Sequence, residues 1–213
     1  MTRIVIFANG ELADASRALS LLRPTDMVVC ADGGTRQALS LGVQPQMIIG
    51  DLDSMTEEEH KTVLALGVPV EQHPRDKDET DLELALRYAR ERDPSGILVV
   101  AALGRRLDQT LGNIALLTGP EWGNMDVRLD DGLEEVLFCR KQLEVHGVPG
   151  DLLSLIPWGG AARGVRTEGL RWPLHGETLQ ADRTRGISNE MLQPLAHVSV
   201  SDGLLLVIHR RQA

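Results

Sequence analysis

Five short apolar runs punctuate the chain between Thr2 and Ala101: Ile4-Val5-Ile6-Phe7, Met27-Val28-Val29-Cys30, Met47-Ile48-Ile49, Val68-Pro69-Val70 and Ile97-Leu98-Val99-Val100. Between them, Ala15 to Leu22, Thr35 to Leu41, Thr56 to Leu66 and Thr80 to Arg90 carry apolar stripes at helical spacing. Such alternation builds βαβ units, because parallel strands need a crossover connection. The expected fold is therefore α/β, with a mostly parallel, Rossmann-like sheet and flanking helices. Thr56 with Glu59, and Thr80 with Glu83, have the spacing of a capping box, which satisfies otherwise orphaned backbone donors. After Thr80, residues Leu82, Ala85, Leu86 and Ala89 share one helix face, leaving that helix's N-terminus free for chemistry.

Past Gly119-Pro120 helical periodicity disappears. Short β-like runs recur at Glu135 to Cys139, Leu152 to Ile156, Val198 to Ser201 and Leu204 to Ile208. The turns between them are Asp130-Asp131-Gly132, Val148-Pro149-Gly150, Gly159-Gly160 and Ser201-Asp202-Gly203, and the last of these reads as a hairpin. The expected organisation is an α/β domain over residues 1–124 and an all-β sandwich or barrel over 125–213, with the boundary near Glu121 to Met125. A length of 213 residues accommodates two modest domains.

A net charge of −9 argues against nucleic acid and against a membrane surface, both of which call for a basic face. The two cysteines, Cys30 and Cys139, lie far apart in apolar runs, so neither a disulfide framework nor a zinc cluster is expected. A strand-like run begins at Arg3 without a signal-peptide pattern, and no stretch is apolar enough to span a membrane. The expectation is a cytoplasmic protein with small-molecule partners.

Carboxylates cluster where the apolar runs end. Ala31-Asp32-Gly33-Gly34 follows the second run, Gly50-Asp51-Leu52-Asp53-Ser54 the third, Lys77-Asp78-Glu79-Thr80-Asp81 the fourth and Gly104-Arg105-Arg106-Leu107-Asp108 the fifth. In a parallel sheet these ends share the edge where open α/β folds bind ligands. Asp51 and Asp53 stand two apart, so an extended segment points both to one side, where a hard divalent cation relieves their repulsion. An Asx-rich turn before the next helix is the other reading. Asp108 equally reads as a helix N-cap. Asp32-Gly33-Gly34 offers a carboxylate and two residues that let backbone approach a nucleotide, or else a plain turn. Neither a P-loop nor a dinucleotide fingerprint is present. Lys77, Arg105 and Arg106 are the candidate phosphate clamps, against a solvated ion-pair role for each.

The stretches Cys30 to Gly34, Ile48 to Ser54, Lys77 to Glu83 and Gly104 to Gln109 resemble, in this order, those of thiamine pyrophosphokinase, also called thiamine diphosphokinase. Gly169-Leu170-Arg171-Trp172-Pro173-Leu174 and Gly186-Ile187-Ser188-Asn189-Glu190 are similar to that family's thiamine-binding domain, so the resemblance covers nearly the whole chain. It implies transfer of the pyrophosphoryl group of ATP to the hydroxyl of thiamine, with magnesium required. By this resemblance Asp51, Asp53 and Asp81 are metal ligands, Asp78, Thr80 and Asp108 complete the shell around the triphosphate, and Asp32 faces the nucleotide. Trp172, Ser188 and Asn189 hold thiamine, although a lone Trp in a β domain also reads as core. The resemblance further implies a homodimer whose site lies between the α/β domain of one subunit and the β domain of the other. Gln46 and Gln109 depart from the family pattern and bear on details around the site.

Two other readings compete. A pyrophosphokinase of the same fold could act on another alcohol, such as a hydroxymethylpterin; it has little reason to contain both second-half motifs. A non-catalytic thiamine sensor needs no metal cage, so the aspartates count against it.

Overall fold

Each of the five apolar runs contains a strand in the computed structural model, which describes residues 1–53, 55–123 and 125–212. The strands are β1 (Ile4–Phe7), β2 (Met27–Ala31), β3 (Met47–Gly50), β4 (Val70–Gln72) and β5 (Ile97–Val100). Only β4 is displaced from its apolar run. Pro69 has no N–H to give a ladder, but its carbonyl still accepts from Ile48 N–H at 3.0 Å, so pairing begins at Val70. Ser54 of the third strand-end motif and Asn124 at the expected boundary lie outside the described residues.

The chain forms two compact units, Met1–Gly132 and Leu133–Ala213. In the first, the strands pair in parallel in the order β4-β3-β2-β1-β5-β6, where β6 is Val127–Asp130. The order reverses beside β1, which opens a crevice at the carboxyl ends of the central strands. The all-β half was expected over 125–213, yet β6 within it pairs with β5 in parallel, Ile97 opposite Val127. Helices α1 (Ala15–Ser20), α2 (Gly34–Ser40) and α3 (Glu57–Leu66) contribute Ala18, Ala38 and Val63 to a core with Val5, Phe7, Val28, Cys30, Ile48, Leu98 and Val100. The alternate residues Ile4, Ile6, Val29, Ile49 and Val99 are equally buried, so the sheet is covered on both faces. Helix α4 (Asp81–Arg90) crosses β1, β2 and β3.

The capping box at Thr56 is complete, and at Thr80 its hydroxyl arm is present, with Glu83 N–H donating at 3.2 Å. A fifth helix, α5 (Leu107–Leu116), has no clear stripe in the sequence, and Ile114 is its buried residue. Its N-cap is Arg106, so Asp108 sits inside the first turn and the N-cap reading of Asp108 is corrected.

In the second unit, β12 (Asn189–Glu190), β9 (Leu152–Pro157), β14 (Leu205–Arg210) and β7 (Glu134–Cys139) form one antiparallel sheet. The other contains β11 (His175–Leu179), β10 (Ala162–Glu168), β13 (Leu195–Ser199) and β8 (Gln142–His146). Leu137, Leu153, Leu155, Leu205 and Val207 of the first sheet meet Val145, Val165, Leu179, Ala196 and Val198 of the second, which makes a sandwich. The Ser201-Asp202-Gly203 hairpin is not formed. β13 and β14 belong to different sheets, and Asp202 instead bridges Arg163 in antiparallel fashion, so this turn carries the chain across the sandwich.

One polar cluster is sealed inside this unit. His209 is fully buried, with Nε2 at 2.8 Å from Asp151 Oδ2 and Nδ1 at 3.3 Å from Glu135 Oε2. Burial opposes charge on the imidazole, but the two carboxylates outweigh it and raise its pKa above the ordinary 6.5. Burial likewise opposes charge on Asp151, yet donation from Val148 N–H, Gln212 N–H and His209 leaves its pKa lowered. A raised imidazole pKa stabilises the fold fully below the ordinary value of 6.5 and loses that contribution as pH rises through the folded value. The depressed Asp151 contributes above the ordinary 3.8 and is lost as pH falls through its own folded value. Urea midpoints followed across pH should therefore decline above about 6.5. Asp151→Ala should cost about 3 kcal/mol at pH 6 and flatten that decline; an unchanged profile would count against the cluster as a source of stability.

Candidate active site

Parallel pairing of β2 with β3 sets the first contact. Ala31 lies opposite Ile49, and Asp32 N–H donates to Ile49 O at 2.8 Å, which brings Asp32 beside the end of β3. Asp32 is buried and takes a positive φ of 42°, and its carbonyl accepts from Thr35 N–H and Oγ1. Between Asp51 and Asp53 the backbone is not extended as expected, because Leu52 has φ 64°. Asp53 N–H donates to Asp51 Oδ1 at 3.0 Å, so the stretch is an Asx turn and a carboxylate cluster at once. Asp32, Asp51 and Asp53 each offer a carboxylate oxygen, and these atoms lie within 4.8 Å of one another.

Asp81 reaches the same place from α4. Gly50, with φ 151°, separates it from Asp32: a Cβ there would lie 2.8 Å from Asp32 Cβ and 3.3 Å from Asp81 Cγ. Lys77 Nζ is 3.0 Å from Asp81 Oδ1 and 4.0 Å from Asp51 Oδ2, and Arg75 Nε is 3.1 Å from Asp53 Oδ2. The Asp53 N–H holds the Asp51 carboxyl below its usual range, whereas the neighbouring Asp51 carboxylate pushes Asp53 up. These donors are all carboxylate oxygens, a set that fits a hard cation such as magnesium and suits zinc poorly.

A cavity of about 510 Å³ opens beside the cluster, lined among others by Asp32, Asp51, Lys77, Thr80, Asp81, Arg105 and Arg106. The Thr80 hydroxyl is engaged as the α4 N-cap, and Asp78 is exposed in the preceding turn. Arg105 takes a positive φ of 56°; Arg106 pairs with Asp108, whose carboxyl that guanidinium holds below its usual range. The space at Gly33 and Gly34 is filled by protein. A Cβ on Gly34 would overlap the backbone oxygen of Phe7, so close packing of α2 on β1 is a sufficient reason for that glycine, whereas one on Gly33 would meet only the movable amide end of Asn9, at 2.5 Å. The sequence reading missed Asn9, Gly10, Arg75 and Asn113 in the lining. Asn9 and Gly10 follow β1 directly, so the strand-end rule used for the other runs would have found them.

In the second unit the two motifs expected to hold thiamine lie side by side. Arg171 N–H donates to Glu190 O, Leu192 N–H donates to Gly169 O, and Leu170 bridges Met191. Trp172 is 58% exposed, which excludes the core reading. The Arg171 guanidinium carbon stands 5.6 Å from the centre of its ring. Asn189 Oδ1 accepts from Trp172 N–H at 3.1 Å and its Nδ2 donates to Trp172 O at 2.7 Å, so that amide clamps the Trp172 backbone. Ser188 is exposed with φ 59°, and its N–H donates to Ser154 Oγ. Of the six non-glycine residues with positive φ among those described, Asp32, Leu52, Ala101 and Arg105 follow strands that end at the crevice, Ser188 lies in the second motif pair, and Asp93 stands apart after α4. Such strain concentrates where function demands a particular geometry.

Comparison with known proteins covers both units. The family profile described as thiamin pyrophosphokinase, catalytic domain, matches residues 18–129, and that described as thiamin pyrophosphokinase, vitamin B1 binding domain, matches residues 139–205. Thiamine pyrophosphokinase of Bacillus subtilis is 30% identical over 179 residues, 83% of this chain and 84% of the relative. A crystal structure of thiamine pyrophosphokinase from Bacillus subtilis superposes with a TM-score of 0.89 at 28% identity, covering 100% of both chains. One from Geobacillus thermodenitrificans gives 0.85 at 25% identity, covering 100% of this chain and 99% of the other.

Gly50 tests the assembled cluster. Gly50→Ala should weaken binding of manganese, used as a spectroscopic probe, by about tenfold or more, since the new methyl drives Asp32 and Asp81 apart. It should also cost about 1–2 kcal/mol of stability, measured by urea unfolding, because alanine is strained at this φ. Unaltered manganese binding in the folded variant would refute the shared cluster.

Proposed function

The chain belongs to the thiamin pyrophosphokinase family, and from that premise we propose that it transfers the pyrophosphoryl group of ATP to the hydroxyl of thiamine, giving thiamine diphosphate and AMP. It is a transferase with ATP as co-substrate. The observation that carries this reading is the carboxylate cluster at the carboxyl ends of β2 and β3, joined from α4 by Asp81 and bordered by Lys77, Arg105 and Arg106. Pyrophosphoryl transfer needs charge neutralised on a polyphosphate, and no such cluster serves a thiamine sensor. The vitamin B1 binding profile over residues 139–205 favours thiamine over a hydroxymethylpterin.

Asp51, Asp53 and Asp81 are the proposed magnesium ligands, with Asp32 close enough to Asp51 and Asp53 to join them. A divalent cation supplies neutralisation of phosphate charge and polarisation of the phosphoryl oxygens when bound. Arg105 and Arg106 border the cavity where phosphates are proposed to lie, and Arg106 is kept oriented by Asp108. Asp78, Thr80 and Asp108 are proposed to complete the shell around the triphosphate, with the Thr80 hydroxyl also capping the helix that begins at Asp81. Trp172 presents an exposed face to which the cationic rings of thiamine are attracted. Asn189 is a positioning residue, since its amide fixes the Trp172 backbone, and Ser188 offers an exposed hydroxyl beside it. The protein is proposed to work in the cytoplasm, consistent with two buried free thiols.

Incubation with thiamine, ATP and magnesium should produce AMP and thiamine diphosphate in equal amounts. ADP as the nucleotide product would sink the proposal. We further propose a homodimer in which each site combines the carboxylate cluster of one subunit with Trp172, Ser188 and Asn189 of its partner. Asp53→Asn and Trp172→Ala should each be nearly inactive alone, and random subunit exchange between them should restore up to about a quarter of wild-type turnover, because half the dimers then carry one intact site. Mixed dimers confirmed by mass that recover nothing would rule out sharing.

A further inference from the structure

Lys77 stands where the charge of a metal would be needed. Its side chain is 12% exposed, and its Nζ donates to Pro74 O at 3.1 Å while lying 3.0 Å from Asp81 Oδ1 and 4.0 Å from Asp51 Oδ2. Arg75, from the same segment, meets Asp53 but is 84% exposed and stays largely in solvent. Lys77 is thus the sheltered cation of the pair. An ammonium between Asp51 and Asp81 and a divalent ion on the same carboxylate oxygens are mutually exclusive, since both are positive and both use the same lone pairs.

We infer that Lys77 is an exchangeable internal counter-ion, holding Asp51 and Asp81 together in the metal-free protein and moving to the polyphosphate when metal and nucleotide arrive. This rests on the pyrophosphokinase reading of the site. The ammonium sits on a flexible four-carbon stem and turns its three donors freely, so it changes partners at small cost, unlike the planar fork of an arginine. Pro74 O keeps it within reach of the cavity. A metal arriving alone must expel Lys77 with no new anion to receive it, and so binds weakly. A nucleotide supplies that anion. Metal and nucleotide therefore each strengthen the other's binding, and the coupling passes through this one side chain.

The test is a calorimetric titration of manganese into the wild type, Lys77→Met and Lys77→Gln, with and without the α,β-methylene analogue of ATP, which cannot donate its pyrophosphoryl group because a carbon replaces the oxygen bridging the α- and β-phosphorus. Circular dichroism confirms folding, and two chemically different replacements guard against a fault peculiar to one. Both variants should bind manganese alone about tenfold more tightly than wild type, and the analogue with manganese about tenfold more weakly. A merely structural lysine would weaken both. Manganese bound no more tightly by either folded variant, with wild-type conversion of thiamine and ATP intact, overturns the counter-ion role and leaves the proposed function standing. Tighter manganese with unaltered analogue binding overturns the transfer to phosphate. A wild type that neither turns over thiamine nor binds manganese with the analogue removes the proposed function, and this inference with it.

Discussion

The backbone ladder between β2 and β3 brings like charges together and keeps them there. Asp32 donates its N–H to Ile49 O, and Gly50 leaves no side chain between Asp32 and Asp81, so the separation of these carboxylates is set by main-chain pairing. Left to their own electrostatics the side chains would spread apart. Hydrogen bonds distributed over a buried parallel sheet resist that spreading, and Lys77 and Arg75 offset part of the repulsion from the outside. The N–H of Asp53 does the same at shorter range for Asp51. The site is accordingly a local loss of electrostatic comfort, sustained by the packing of Val5, Phe7, Val28, Cys30 and Ile48 beneath it.

The α/β half was legible because its signal is redundant: apolar runs, helical stripes and capping residues agree with one another. The carboxylate crevice was legible for the same reason, since parallel strands align their ends whatever lies between them. What escaped was geometry decided by tertiary contacts. The proximity of Asp32 to Asp51 depends on which strands are neighbours. The true start of α5 was hidden because Leu107-Asp108-Gln109-Thr110 has no apolar period, and β8, β10 and β11 because few of their residues are buried apolar ones. Ser201-Asp202-Gly203 has the composition of a hairpin turn, yet the strands on either side of it, β13 and β14, pair into two different sheets. Composition alone does not distinguish a turn within a sheet from a turn between sheets.

In the second unit the resemblance names Trp172 and Asn189 for one ligand, and the structure shows the two residues hydrogen-bonded to each other. Both ends of the Asn189 amide are engaged with the Trp172 main chain, so this side chain is committed to holding its neighbour in place. The pairing of Gly169 to Trp172 with Asn189 to Leu192 gives that exposed ring a rigid mount on an edge of the sandwich.

The position of β14 also governs how the sandwich comes into being. This strand lies inside its sheet between β7 and β9, although it is the last of the strands along the chain. Arg210 pairs with Glu134 across 76 positions of sequence. During synthesis β7 and β9 leave the ribosome well before the strand that must separate them, with apolar faces such as Leu137, Leu153 and Leu155 waiting for it. A nascent chain of this topology has high contact order and a long interval of exposed strand edge, the condition under which chaperone engagement protects against aggregation.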